Sequence, residues 1–179
     1  MAKVEVEIGR LIRRYQAKTG KLLTIGIVES ATGGRIADRI TNVPGSSDYF
    51  KGSVVSYSNE IKINILGVKK ETIDNFGVVS SQIAKEMAQG GRKLLDVDIC
   101  ISNTGIAGPS GGSSEKPVGL FYIGLAAENQ CLSQKCIFPG NRKKNKQDAA
   151  GASLDMLKQQ LLQCLAEKGW KINSWQILI

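Results

Sequence analysis

The chain has 179 residues, is 42% hydrophobic and 22% charged, and carries a formal net charge of +8 without a single histidine. This length and apolar fraction are sufficient for one domain with a hydrophobic core. The absence of histidine excludes the Ser-His-Asp triad, the Cys-His dyad and every zinc site that needs imidazole.

The cysteines and the apolar segments bear on the cellular compartment. The four cysteines form no CxxC pair and no zinc-ligand spacing, so we expect no metal site. No apolar run approaches the ~20 residues that a membrane span needs, and no signal peptide precedes the first helical pattern. We therefore expect a soluble, cytoplasmic protein with no membrane partner.

The positive charge raises the question of nucleic-acid binding. The basic residues are scattered except for one run, RKKNK at 142–146. No aromatic residue is interleaved with it and no recognised nucleic-acid motif accompanies it, so we expect no nucleic-acid partner. A solvated loop or helix start explains this run, and attraction of a phosphorylated small molecule or an acidic partner is the alternative.

Apolar spacing predicts alternating helices and strands along the first half of the chain. In order, these are a helix from Val4 that Gly20 ends, a strand over 22–28, a helix over Arg35–Thr41, a turn capped by Ser46 or Ser47 and ended by Gly52, a strand over 53–57, and a helix from Ser58 to Gly67.

The second half continues the alternation and then departs from it. The predicted elements are a short helix over 72–76, a longer helix capped by Ser80 or Ser81, strands over 97–102, 120–127 and 132–138, and a final helix from about 147 to 168. The last two strands are spaced like a hairpin, so an α/β fold with a mixed sheet is expected.

We expect a single domain over residues 1–169, followed by a short apolar tail. The tail, 170–179 (WKINSWQILI), is too short to form a core of its own. It either adds an edge strand or packs on another subunit, and its apolar character predicts self-association, at least as a dimer.

Clusters of glycine, serine and threonine follow the predicted strands. They are ESATGG at 29–34, GSS at 45–47 with YSNEIK shortly after at 57–62, and NTGIAGPSGG at 103–112. Glycine lets backbone N–H groups approach a ligand, and loops at strand ends of α/β sheets form ligand crevices. The clusters therefore predict a small-molecule site.

Five stretches in this order and spacing resemble the CinA C-terminal domain family, including its stand-alone PncC-type nicotinamide mononucleotide amidohydrolases. They are ESATGG at 29–34, VPGSSDYFKG at 43–52, YSNEIKINILGV at 57–68, TGIAGPSGGSSEKPVG at 104–119 and PGNR at 139–142. The chain departs from the family at Ala31, where Cys is common, and at Asn141, where Asp is common. The N-terminal partner domain of longer members is absent, which suggests the stand-alone form.

The resemblance implies a three-layer α/β/α sandwich that hydrolyses the carboxamide of nicotinamide mononucleotide, giving nicotinate mononucleotide and ammonia. It implies Ser47 as the nucleophile and Lys62 as the base, with no metal or organic cofactor. Lysine replaces histidine in Ser-Lys enzymes, and burial lowers the pKa of a lysine. Without the resemblance, Ser47 is an ordinary helix cap and Lys62 a surface lysine.

The distance between these two residues is an open question at this stage. A short turn and a strand of ~17 Å separate Ser47 from Lys62, so either the chain doubles back or a neighbouring subunit supplies one of the two. Tyr57 and Ser30 are further catalytic candidates, Tyr57 to orient the lysine or stack on the pyridinium ring, and Ser30 to bond the Lys62 amine or the substrate. Local capping or packing is the alternative for each.

The remaining candidates are predicted to bind substrate. Glu29, at the end of a strand, holds the substrate or the lysine, and Thr32 and Gly33 lie in the turn that follows it. The loop beginning at Thr104 and Gly105 resembles an anion-binding nest for the phosphate or ribose.

Arg142 has the planar geometry that suits a phosphate monoester, and a basic surface residue is the alternative. The competing functions are a non-catalytic binding or regulatory module linked to competence or DNA damage, and deamidation of a different pyridine nucleotide or small amide.

Overall fold

The computed structural model describes residues 3–169 as a mixed five-stranded sheet with helices on both faces. The predicted edge strand or subunit contact of the tail at 170–179 lies outside the described residues. No helix within 3–169 combines the length and the hydropathy that crossing a membrane requires.

The sheet contains five strands in the order β2-β1-β3-β4-β5. Their bounds are β1 Ile25–Glu29, β2 Phe50–Val55, β3 Ile99–Gly105, β4 Leu120–Ala127 and β5 Gln130–Ile137. Strand β1 pairs in parallel with β2 and with β3, whereas β3–β4 and β4–β5 are antiparallel. The predicted late hairpin and the mixed sheet are confirmed.

Six helices and one short 3-10 turn complete the described part of the chain. The helices are α1 Val4–Thr19, α2 Arg35–Thr41, α3 Asn59–Asn64, α4 Lys70–Phe76, α5 Ser81–Leu95 and α6 Arg142–Glu167, and the turn is Ser46–Asp48. The predicted caps are confirmed at Ser58 and Ser80, whose hydroxyls accept backbone N–H groups of the first turn of α3 and α5. Gly20 ends α1 in the left-handed conformation.

Several predicted boundaries are wrong, and three of them have an evident cause. Strand β2 begins at Phe50, so Gly52 lies inside the strand instead of ending a turn before it. Strand β3 continues to Gly105, because antiparallel pairing with β4 extends it past the apolar run. Helix α6 begins at Arg142, five residues earlier than expected, because the Asn141 side chain caps it and the side chain of Asn145 is buried. The predicted serine cap of the Ser46–Asp48 turn is also wrong, because Gly45 precedes the turn and no side chain caps it.

Two apolar clusters lie on opposite faces of the sheet. On one face, Ile27 of β1 packs in a cluster with Leu157 of α6 and with residues of α1 and α2. On the other face, the neighbouring Val28 packs with Met87 of α5. This alternation along β1 is that of a strand covered on both sides, and it confirms the three-layer α/β/α arrangement.

The parallel strands define one edge of the sheet. Glu29, the last residue of β1, pairs with Val55 at the end of β2 and with Asn103 near the end of β3. We call this the carboxyl edge, and the residues that follow each parallel strand meet there.

Candidate functional site

Lys62 is the central residue of the carboxyl edge. Its side chain is 2% exposed, and its Nζ donates to Ser30 Oγ at 3.1 Å and to the Ser56 carbonyl at 2.7 Å. Burial lowers the pKa of Lys62 from 10.5 to about 8. No carboxylate lies within ion-pair distance of it among residues 3–169. Lys62 is therefore a buried amine that loses its proton at a lower pH than an exposed lysine does.

Local structure explains how a lysine of α3 reaches the end of β1. The backbone turns sharply after β2, and the Ser58 hydroxyl accepts the Ile61 N–H to begin α3. The Lys62 side chain then points back across the chain towards Ser30, which follows β1 directly and is 8% exposed. The structure thus brings together Ser30 and Lys62, two of the predicted catalytic residues.

Ser47 lies elsewhere. It is an exposed residue of the short turn that precedes β2, and the Ile25 N–H at the start of β1 donates to the Tyr49 carbonyl beside it. The six residues of β2 separate this turn from the carboxyl edge, a rise of roughly 17 Å. Within one subunit, the described structure does not bring Ser47 to Lys62.

Glu29 supports the loop that follows β1. Its carboxylate is fully buried and accepts four hydrogen bonds, from the Thr32 hydroxyl at 2.6 Å and from the backbone N–H groups of Gly34, Ile36 and Ala37 at 2.9–3.1 Å. A carboxylate in this position satisfies donors at the start of α2 and interacts favourably with its dipole. These four donors all belong to the loop after β1 and to α2, so the carboxylate has a structural role.

Thr32 is likewise held inside the structure. It is 0% exposed, donates to Glu29 and accepts a hydrogen bond from the Asn103 side-chain amide at 2.9 Å. Gly33, the next residue, is exposed with a φ of 62°, so the loop presents backbone to solvent at this position. Of the predicted substrate-binding residues in this loop, Gly33 is the one that faces outwards.

Thr104 and Gly105 belong to the end of β3. Thr104 is 1% exposed and its hydroxyl donates to the Val78 carbonyl at 2.7 Å. A Cβ at Gly105 would lie 2.3 Å from the ring of Phe121, so this glycine is required by close packing. These two residues stabilise the end of the strand, and the open loop begins after them.

Arg142 and Tyr57 connect separate segments at the carboxyl edge. The Arg142 guanidinium donates to the Gly108 carbonyl at 2.7 Å and to the Tyr57 hydroxyl at 3.1 Å. Tyr57 is 60% exposed, so its ring lines an open surface. The first residue of α6 therefore ties the loop after β2 to the glycine-rich loop after β3.

Comparison with known proteins identifies the family of this chain. A family model described as the CinA C-terminal domain matches residues 9–161. The chain belongs to this family. It is 52% identical over 139 residues to a CinA-like protein of Endomicrobium trichonymphae, an alignment that covers 78% of this chain and 32% of that protein. The chain thus spans about a third of the length of the curated relatives it matches.

Two solved structures show the same fold. The competence/damage inducible protein CihA of Agrobacterium tumefaciens is 37% identical with a TM-score of 0.76, covering 84% of this chain and 93% of that one. A CinA superfamily protein of Klebsiella pneumoniae is 27% identical with a TM-score of 0.82, covering 89% and 96%. The resemblance to the CinA C-terminal domain family is confirmed.

Three residues of this candidate site were not singled out by sequence analysis, although two of them lie in stretches that it noted. Ser56 acts through its backbone carbonyl, which residue type does not reveal. Asn103 is a fully buried amide within β3, and a polar residue in an apolar strand was the available signal. Lys146 lies one helical turn after Arg142, and the i, i+4 spacing would have indicated it had α6 been predicted to begin at 142.

Proposed function

We propose that this CinA-family domain hydrolyses the carboxamide of nicotinamide mononucleotide, releasing nicotinate mononucleotide and ammonia, with Lys62 as the general base. The observation that carries the proposal is the buried Lys62 amine, 3.1 Å from the Ser30 hydroxyl. A general base must lie within about 3.2 Å of the proton that it removes, and it works best with a pKa near the operating pH.

The chemistry follows from the state of Lys62. A serine oxygen attacks the carboxamide carbon while neutral Lys62 accepts the hydroxyl proton, and Lys62 returns that proton to the departing ammonia. Water then hydrolyses the nicotinoyl ester with the same lysine as base, which releases nicotinate mononucleotide and regenerates the serine. The positive pyridinium nitrogen of the substrate makes its carboxamide carbon more electrophilic.

Two serines are candidates for the attacking oxygen. Ser30 is in hydrogen-bond contact with Lys62 in the same subunit, which supports it as the nucleophile. Ser47 is the residue that the family resemblance implies, and it reaches Lys62 only if a neighbouring subunit presents it. The second alternative requires that the protein self-associates, whereas the first does not.

Ammonia release from nicotinamide mononucleotide tests the function. Lys62→Ala should lower kcat by about 10²–10⁴-fold, because it removes the proton acceptor. Lys69→Ala, at an exposed lysine in the same region, is the matched control and should retain full activity. A wild-type protein that releases no ammonia would overturn the proposal and favour a non-catalytic binding or regulatory module.

Mixing inactive variants identifies the nucleophile. If Ser47 acts across a dimer interface, Ser47→Ala and Lys62→Ala subunits together form one intact site in each mixed dimer, and activity recovers to about one quarter. If Ser30 is the nucleophile, Ser30→Ala is inactive and does not recover when mixed with Lys62→Ala, because both residues belong to one subunit. Full activity of Ser30→Ala would exclude Ser30.

A further inference from the structure

The basic run at the start of α6 separates into residues with different surroundings. Lys144 pairs with Asp148 one turn further along the helix, and Asn145 is buried, donating to the Ala107 carbonyl. Arg142 and Lys146 are one turn apart and both interact with groups of the carboxyl edge. Only part of the run therefore belongs to a solvated helix face.

Lys146 approaches the exposed loop that follows β1. A Cβ at Gly33 would lie 3.3 Å from Lys146 Nζ, and apart from the adjoining residues 32 and 34 no other residue comes within 4 Å of that position. Arg35 starts α2 on the same loop, and its guanidinium donates to the Thr32 carbonyl at 3.4 Å. Two cations from different helices thus flank the exposed backbone of Gly33.

These cations repel one another. Burial lowers the pKa of Lys146, and the charges of Arg35 and Arg142 lower it further, whereas Tyr57 and Glu29 act in the opposite direction. None of the three cations forms an ion pair with a carboxylate among residues 3–169. The one acid that influences Lys146, Glu29, already has four donors of its own.

Such a group of like charges is costly for the fold unless an anion neutralises it. The loop at Thr104, predicted as an anion-binding nest, is the weaker candidate for binding this anion. Thr104 is buried, and its hydroxyl already donates to the Val78 carbonyl. Gly33 is exposed and has no side chain, so a ligand can approach its backbone closely.

We propose that Arg35, Arg142 and Lys146 form the binding site for the phosphate group of a phosphate monoester, which contacts the exposed backbone at Gly33. Three cations can neutralise the two negative charges of a phosphate monoester, and guanidinium groups suit phosphate oxygens geometrically. The inference rests on the proposed function in one respect, because it assigns this site to the phosphate of the mononucleotide substrate. Arg35 and Lys146 are then specificity-determining residues for phosphorylated over unphosphorylated substrates.

Binding of ribose 5-phosphate, measured by calorimetry on the full chain, tests the site without catalysis. Lys146→Gln and Arg35→Gln should each weaken this binding by at least about tenfold. Lys143→Gln removes an exposed charge from the same turn of α6 and should change the affinity by less than about twofold. Lys146 is partly exposed, so its variant is expected to fold even if Arg35→Gln does not.

A kinetic comparison separates this inference from the proposed function. With nicotinamide mononucleotide, the Lys146→Gln variant should raise KM with little change in kcat, and with nicotinamide riboside it should match the wild type. Loss of ribose 5-phosphate binding in the variants supports the site even if the wild type releases no ammonia. Unchanged ribose 5-phosphate affinity in both variants, or no binding to the wild type at millimolar concentration, overturns the inference even if ammonia is released.

Discussion

Replacing Lys62 by Met should inactivate the protein and make it more stable at neutral pH. Methionine has a similar length and no charge, so it removes the cost of burying an ammonium group. The unfolded chain holds the Lys62 proton up to a pKa of 10.5, whereas the folded protein releases it at about 8. Between these two values the unfolded state binds more protons, so the stability of the wild type rises with pH through this window.

The magnitude follows from that difference in pKa. The destabilisation due to Lys62 is fully present below pH 8, at about 3 kcal/mol, and falls to about 1 kcal/mol at about pH 9.5. Loss of the hydrogen bonds from Nζ to Ser30 and Ser56 offsets about 1–2 kcal/mol of the gain at both pH values. Lys62→Met should therefore be more stable than the wild type by about 1–2 kcal/mol at about pH 7 and nearly equal to it at about pH 9.5.

Urea unfolding of both proteins at the two pH values measures this effect. The informative quantity is the change in the stability difference between the two pH values, about 2 kcal/mol, because the lost hydrogen bonds cancel from it. Lys69→Met, at an exposed lysine, is the control and should show no such change. A stability difference for Lys62→Met that is the same at both pH values would refute the argument that Lys62 is buried at a cost.

Further predictions concern activity and packing. The kcat/KM for amide hydrolysis should rise with pH and level off above about 8, because only neutral Lys62 accepts a proton; a flat profile between about pH 6 and 9 would contradict this. Gly90→Ala should lower the free energy of unfolding by at least about 3 kcal/mol, since the new Cβ would lie 1.8 Å from the Leu66 carbonyl oxygen. Gly151→Ala, in the open part of α6, should instead raise it by about 0.5–1 kcal/mol, and thermal unfolding compares the two. Glu29→Gln should cost about 2–4 kcal/mol in urea unfolding, because the amide cannot replace a buried carboxylate that accepts four donors; an unchanged midpoint would argue against that role.

Local sequence signals predicted most of the secondary structure. Helix α2 and strand β4 have the bounds that their apolar patterns indicated, and serine hydroxyls cap α3 and α5 as expected. The errors occur where a contact distant in sequence changes a boundary. Helix α6 starts at Arg142 because the side chain of Asn145 donates to the loop after β3, a contact that the run of basic residues does not reveal.

The candidate site was also predicted only in part, because some of its contacts join segments that are distant in sequence. The family resemblance made Lys62 a candidate base, whereas its local sequence is equally that of a surface lysine; the structure shows that Lys62 is buried and that burial lowers its pKa. The clusters that follow β1, β2 and β3 were expected to form one site, through the rule that loops after parallel strands meet, and they do lie together, whereas the GSS cluster at 45–47 precedes β2 and lies apart. The distribution of hydrogen bonds within the loop, such as the four donors to Glu29, could not be predicted from spacing.

By itself the sequence determined the chemistry that is available to this protein. Without histidine, a base of intermediate pKa must be another residue, and the YSNEIK motif makes Lys62 the candidate; both follow from residue type and motif. The tertiary structure alone decided which hydroxyl contacts that base. Strands β1 and β2 run in parallel, so Ser30 and Lys62, which both follow a strand, meet at the carboxyl edge, whereas Ser47 precedes β2 and lies at the opposite edge. Strand direction and order, which depend on contacts between distant segments, determine these distances, and separation along the chain does not.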